Sequence, residues 1–153
     1  MADFKAARHP AVLTTLGLGS CVGVAIYDSR TKIVGLAHIM LPSSSIASGN
    51  INRAKFADTA IVDLYEKMLS LGADGRNLVA KLAGGAQMFT FAGSSETMKI
   101  GLRNYEASRA VLSGLNIPII SEDVGGNYGR TIELSSEDGR LMVKTIGFGI
   151  KYI

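Results

Sequence analysis

The chain has 153 residues, a length that suits one ordinary domain able to bury a real core. Hydrophobic residues make up 47% of it and charged residues 19%, which excludes a disordered chain. The formal net charge of +3 is small, and Lys and Arg are scattered with no run beyond "RTK" or "NRAK", so no basic stripe for nucleic acid is present.

The opening "MADFKAARHP" carries no apolar signal-peptide core, and residues 1–10 are read as a disordered lead into a single domain. No segment has the eighteen or so consecutive apolar residues of a membrane span, so the protein is expected to be soluble, cytoplasmic and not membrane-inserted. "AVLTTL" (11–16) reads as a short strand running into "GLGSC". "VGVAIYD" (22–28) is β-branched and bounded by polar residues, and "IVGLAHIML" (33–41) is stopped by Pro42, so the two form a hairpin around "SRTK". "PSSSIASGNIN" (42–52) is a long polar loop, a kind that is often functional. Between Arg53 and Leu71, Phe56, Ala60, Ile61, Leu64, Met68 and Leu71 recur at three and four, which predicts an amphipathic helix ended by Gly72. "NLVAKLAGGAQMF" (77–89) predicts a strand, "GSSETMKIG" (93–101) a loop, and residues 102–115 a second helix. "IPIISED" (117–123), "RTIELSS" (130–136) and "RLMVKTIGFGI" (140–150) predict strands, the last two joined by the turn "EDG". Strands outnumber helices and hairpins occur at both ends. The expected class is α+β, with mixed, largely antiparallel sheets and two main helices packed outside.

Cys21 is the only cysteine, so no internal disulfide forms, which fits a reducing compartment. With His9 and His38 as the only histidines, no zinc-ligand spacing occurs, and no metal or cofactor is expected. "GLGSCVG" is one residue too long for a dinucleotide-binding turn and lacks the following helix. Its glycines instead let the backbone turn sharply and approach a ligand, with N–H groups available to an oxyanion. Three readings of Cys21 stand side by side: a small buried filler, a redox sensor, or a nucleophile. An even hairpin loop of Ser29-Arg30 or of Asp28 to Thr31 places Cys21 directly opposite His38 on one sheet face, close enough for a thiol–imidazole pair. An odd loop separates them.

Six blocks occur in order: "TLGLGSCVGVAIYD", "GLAHIMLP", "KFADTAIVDLYEKMLSLGA", "AKLAGGAQMF", "IGLRN" and "IPIISEDVGGNYGR". Together they closely resemble the CheD family of bacterial chemotaxis proteins over most of residues 12–147. The resemblance implies a chemoreceptor glutamine deamidase with a Cys-His-Thr site, in a fold like the deamidase domain of cytotoxic necrotizing toxins. By motif, the nucleophile is Cys21, the base His38 and the third member Thr15, with Thr14 the poorer match. Ser20 and Gly19 supply the backbone of the oxyanion site. Family members usually carry an additional N-terminal strand with a Gly-Glu pair, whereas this sequence opens with "MADFKAARHP".

The implied reaction runs through a thioester at Cys21, and the same chemistry extends to receptor glutamyl methyl esters. The implied substrate is the helical cytoplasmic region of a methyl-accepting chemoreceptor. "PSSSIASGNIN" is the candidate mobile rim, while "AGGAQMF" and "EDVGGNYG" either approach the site or are ordinary turns. The same face is a candidate for binding the chemotaxis phosphatase CheC. A competing reading makes the domain a stoichiometric regulator of CheC or of receptors, with little catalysis.

Overall fold

The structure is a computed structural model and describes residues 3–88 and 99–153. Nine strands and two α-helices occur in the described chain, in the order β1 (Phe4–Ala7), β2 (Val12–Leu18), β3 (Val22–Asp28), β4 (Ile33–Ile39), α1 (Ala57–Ser70), β5 (Leu78–Gly84), α2 (Ile100–Gly114), β6 (Ile119–Val124), β7 (Arg130–Ser135), β8 (Leu141–Thr145) and β9 (Gly149–Tyr152). One sheet has the order β1-β4-β3-β5-β6 and the other β2-β7-β8-β9. Only the β5–β6 pair is parallel. The α+β class with largely antiparallel sheets is what the sequence predicts.

β3 and β4 are buried along their whole length, which is why they read as nearly continuous apolar runs. Alternate residues serve two cores. Val22, Val24 and Ile26 of β3 face Ile61, Leu64 and Met68 of α1 and Leu112 of α2. Ala25 and Tyr27 of β3, with Val34 and Leu36 of β4, face Leu13, Leu18, Ile132, Leu134 and Val143 of the second sheet. The layers are therefore helices, five-stranded sheet, four-stranded sheet. Each fully buried Leu or Ile contributes about 1.5–3 kcal/mol by leaving water, and α1 alone buries Ile61, Leu64 and Met68 completely.

Several expectations need correction. Within the lead expected to be disordered, Phe4–Ala7 form β1, antiparallel to β4, and residues 1–2 lie outside the described residues. The strand expected at 140–150 is two strands, β8 and β9, folded back on each other around 146–148. The strand expected at 77–89 ends at Gly84. The loop expected at 93–101 lies largely outside the described residues, and Ile100 and Gly101 already belong to α2. The 42–52 loop contains a short 3-10 turn at Ser44–Ile46, held where the Asp58 carboxylate of α1 accepts from the Ser44 N–H and hydroxyl.

Candidate active site

The segment Gly19–Cys21 carries the chain from the four-stranded sheet into the five-stranded one, between the end of β2 and the start of β3. Before it, the β2–β7 pairing is irregular between Thr15 and Leu18, and Gly17 has φ 71° there. Such a bulge bends a strand and re-aims its side chains. Upstream of the bulge, Leu13 is buried and Thr14 exposed, so Thr15 points inward with Leu13.

His38 lies near the end of β4 and is 3% exposed. Its even-numbered β4 neighbours Val34 and Leu36 belong to the core between the two sheets, and His38 shares their face. Thr15 Oγ1 and His38 Nδ1 are 2.8 Å apart and hydrogen-bonded. Of the two candidate threonines, the fold brings Thr15 to the imidazole and turns Thr14 to solvent. His38 Nε2 is buried and has no hydrogen-bond partner among the described residues.

Cys21 is half-buried and packs against the same inter-sheet core. It is not directly opposite His38, because Gly23 holds that position. The β3–β4 loop is even, as the cross-strand pairing requires, but it spans Ser29–Lys32, which moves the register by one pair. Cys21 therefore stands two residues before Gly23, diagonal to His38, and its thiol is not hydrogen-bonded to Nε2. Burial pushes the Cys21 thiol up and the His38 imidazole down from their ordinary values. Both shifts favour the neutral forms of the pair.

The carbonyls of this segment are all tied down. Gly17 O accepts from Gly19 N–H at 3.0 Å, Gly19 O from Ala86 N–H at 2.9 Å, and Cys21 O from Gly85 N–H at 2.8 Å. Ser20 O accepts from Asn104 Nδ2 at 3.1 Å. Gly19 N–H is thereby spent inside the turn, so Gly19 is corrected as an oxyanion donor. Among the described residues, no turn or loop hydrogen bond engages the N–H groups of Ser20 and Cys21. In a trans peptide the N–H points opposite to the C=O, so both N–H groups face away from the elements that hold the carbonyls.

"AGGAQM" does reach the turn, through Gly85, Ala86 and the Met88 side chain that covers Gly19. "EDVGGNYG" lies one layer further out, bonded to Gly84 and Gln87 through Gly125 and Gly126. The hydrogen bonds of "PSSSIASGNIN" run within itself, to α1 and, through Asn52, to the N–H groups of Ala54 and Lys55. The sequence reading quoted "IGLRN" without assigning Asn104 a place. The available signal was an asparagine on the helix face shared with Gly101, Ser108 and Leu112, all buried.

A protein-family model described as CheD chemotactic sensory transduction matches residues 40–145. The chain is 59% identical over 153 residues to a protein of Caldanaerobacter subterraneus subsp. tengcongensis named probable chemoreceptor glutamine deamidase CheD, with 100% of this chain and 94% of the relative covered. It is 54% identical over 153 residues to a protein of the same name from Clostridium novyi, covering 100% and 94%. A protein of Halalkalibacterium halodurans named chemoreceptor glutamine deamidase CheD is 50% identical over 154 residues, covering 100% and 95%. The family match begins just beyond His38, whereas these three alignments cover the whole of this chain, with Thr15, Cys21 and His38. Among the described residues, no helix is long and apolar enough to cross a membrane.

Proposed function

The chain belongs to the CheD family, and from that membership and the site geometry we propose that it is a cysteine hydrolase that deamidates glutamine side chains of methyl-accepting chemoreceptors. The observation that carries the reading is the Thr15–His38 hydrogen bond, which leaves Nε2 unpartnered in the layer that Cys21 enters. A base at Nε2 requires Nδ1–H to donate to the Thr15 hydroxyl, and the 2.8 Å contact suits that tautomer.

The steps follow from neutral partners. A small approach of the thiol to Nε2 accompanies substrate binding, since apo catalytic contacts are often loose. Nε2 takes the thiol proton as Sγ attacks the side-chain amide carbon. The C=O electron pair moves to oxygen, which accepts from the N–H groups of Ser20 and Cys21. The oxyanion collapses, the C–N bond breaks, and the imidazolium protonates the departing ammonia. Water, deprotonated by His38, then cleaves the thioester to glutamate and free thiol. A glutamyl methyl ester enters the same sequence with methanol as leaving group.

Beside the nucleophile turn, Leu16 and Ile146 are exposed and line a groove with Gly17, Tyr128 and Lys144. An apolar groove that starts at Leu16 and Gly17, upstream of Cys21, suits the helical cytoplasmic region of a receptor, and the proposed activity is a cytoplasmic one. The test is mass spectrometry of a receptor cytoplasmic fragment incubated with wild type, Cys21→Ala and His38→Ala. Wild type should convert glutamine to glutamate, Cys21→Ala should convert none, and His38→Ala should be slower by about 10²–10⁴-fold. Equal conversion by wild type and Cys21→Ala removes Cys21 as nucleophile. No conversion by either, with both binding CheC tightly, assigns the domain to regulation instead.

A further inference from the structure

Asn104 lies in the middle of α2 and is fully buried. An asparagine is a poor choice inside a helix, and burying an amide costs free energy unless its hydrogen bonds are met. Its Nδ2 donates outside the helix, to Ser20 O at 3.1 Å and to Met40 O at 3.0 Å. Its Oδ1 is buried and has no partner among the described residues. An apolar residue would avoid that orphaned oxygen, so the position is held for the two donations. Two carbonyl oxygens from different segments converge on one nitrogen, and only a donor with two hydrogens can sit between them.

The two acceptors are not arbitrary. Ser20 immediately precedes Cys21, and Met40 follows His38 by two residues. One side chain thus ties the peptide before the nucleophile to the end of the strand that carries the base. α2 comes close enough for this because residue 101 is glycine: a Cβ there would lie 2.4 Å from the Ala86 carbonyl oxygen. Ala86 in turn holds the Gly19 carbonyl. The helix therefore meets the turn at two neighbouring points.

We propose that Asn104 is a positioning residue for the deamidation site, fixing the Ser20–Cys21 peptide so that the Cys21 N–H faces the substrate oxyanion. This rests on Cys21 being the nucleophile. That premise fails if Cys21→Ala deamidates like wild type, an outcome separate from any result at Asn104.

The test pairs two reactions of one thiol in Asn104→Ala. Deamidation builds an oxyanion, whereas alkylation by iodoacetamide at its methylene carbon does not. Loss of a direct oxyanion donor costs about 10²–10³-fold in kcat, so a loss of at least about tenfold is expected from misdirecting one. KM should stay within about two-fold, since the removed group contacts no substrate. The Cys21 alkylation rate and its pH midpoint should match wild type. Wild-type deamidation overturns the proposal. So does an alkylation rate that changes in parallel, which marks a collapsed turn. If Asn104→Ala does not fold, Asn104→Asp, of nearly equal volume, is put through the same pair of assays with the same criteria. Failure of both to fold assigns Asn104 to the fold and overturns the proposal as well.

Discussion

The Thr15 hydroxyl and the His38 imidazole meet at 2.8 Å although their strands belong to different sheets. β2 is an edge strand of the four-stranded sheet, and β4 lies inside the five-stranded one. The contact therefore reports how the two sheets stack, and any loosening of the inter-sheet core of Leu13, Leu18, Leu36 and Ile132 shifts it. The segment Gly19–Cys21 is also the link between the sheets, so one stacking geometry sets both the base and the nucleophile.

Thr15→Val keeps the shape and removes the hydroxyl. The ring loses the group that fixes its orientation, and Nδ1 is left unpaired at a buried site. One neutral hydrogen bond is worth about 1 kcal/mol, and an unsatisfied buried partner somewhat more. Deamidation kcat should fall by roughly 10-fold or more, the loss that this energy corresponds to. KM should hold. Thr15→Ser should recover most of the rate, because the hydroxyl returns. Equal rates for the valine and serine variants would remove Thr15 from the mechanism.

Burial lowers the His38 pKa and raises that of Cys21, and these directions set the pH profile. The base must be neutral, and a depressed imidazole stays neutral to lower pH. The acid limb of kcat/KM should thus fall below the ordinary histidine value of about 6.5. Iodoacetamide alkylation of the free protein should titrate at or above the ordinary thiol value of about 8.5. An alkylation midpoint well below that value would show a preformed thiolate–imidazolium pair, contrary to the neutral pair argued from burial.

The parts legible in the sequence are those whose signals are local. β3 occupies the predicted residues 22–28 because an apolar, β-branched run ends at an acidic turn residue. α1 follows from its three–four periodicity. β1 was not legible, because "FKAA" has no pattern of its own and becomes a strand only by pairing with β4. The turn "SRTK" was legible from the strand bounds, but the pairing register around it was not. Lys32 adopts φ 59° and donates its N–H to Asp28 O, which closes a four-residue loop and places Gly23 opposite His38. Cys21 and His38 were legible as a hairpin pair and from the motifs, and the motif choice of Thr15 over Thr14 falls on the residue that β2 turns inward. Asn104 went unassigned because its two acceptors lie 84 and 64 residues away.

Asp28 is the buried carboxylate that shapes that loop. It accepts from the N–H groups of Arg30, Thr31 and Asp74. Burial pushes its pKa up, but these donors outweigh burial and hold it below the ordinary value. The sign follows: the stabilisation is full above the unfolded carboxyl value of about 3.9 and is lost as pH falls through the lower folded value. Asp28→Ala leaves three N–H groups without their acceptor and should destabilise by about 3 kcal/mol in urea unfolding near pH 7. The deficit against wild type should shrink at acid pH. A deficit that is constant from neutral to acid pH would mean that the charge on Asp28 does not matter.

Gly84 ends β5 against the nucleophile itself. It has φ 103°, and a Cβ there would lie 2.3 Å from the carbonyl oxygen of Cys21. That neighbour is backbone, so no flexible side chain can yield. Gly84→Ala therefore combines a strained φ with a forced shift of the Cys21 peptide. Strain at such a φ costs about 1–3 kcal/mol, which urea unfolding should register. A displacement near 1 Å at a reacting group can cost about 10²-fold in rate, so kcat should drop by that order although no catalytic side chain has changed. Gly149→Ala is the matched control: its φ is 82°, but nothing lies within 4 Å of a Cβ placed there. It should share the destabilisation and keep most of the turnover. If the two variants lose turnover equally, strain alone accounts for the effect, and the contact between Gly84 and the Cys21 carbonyl does not position the thiol.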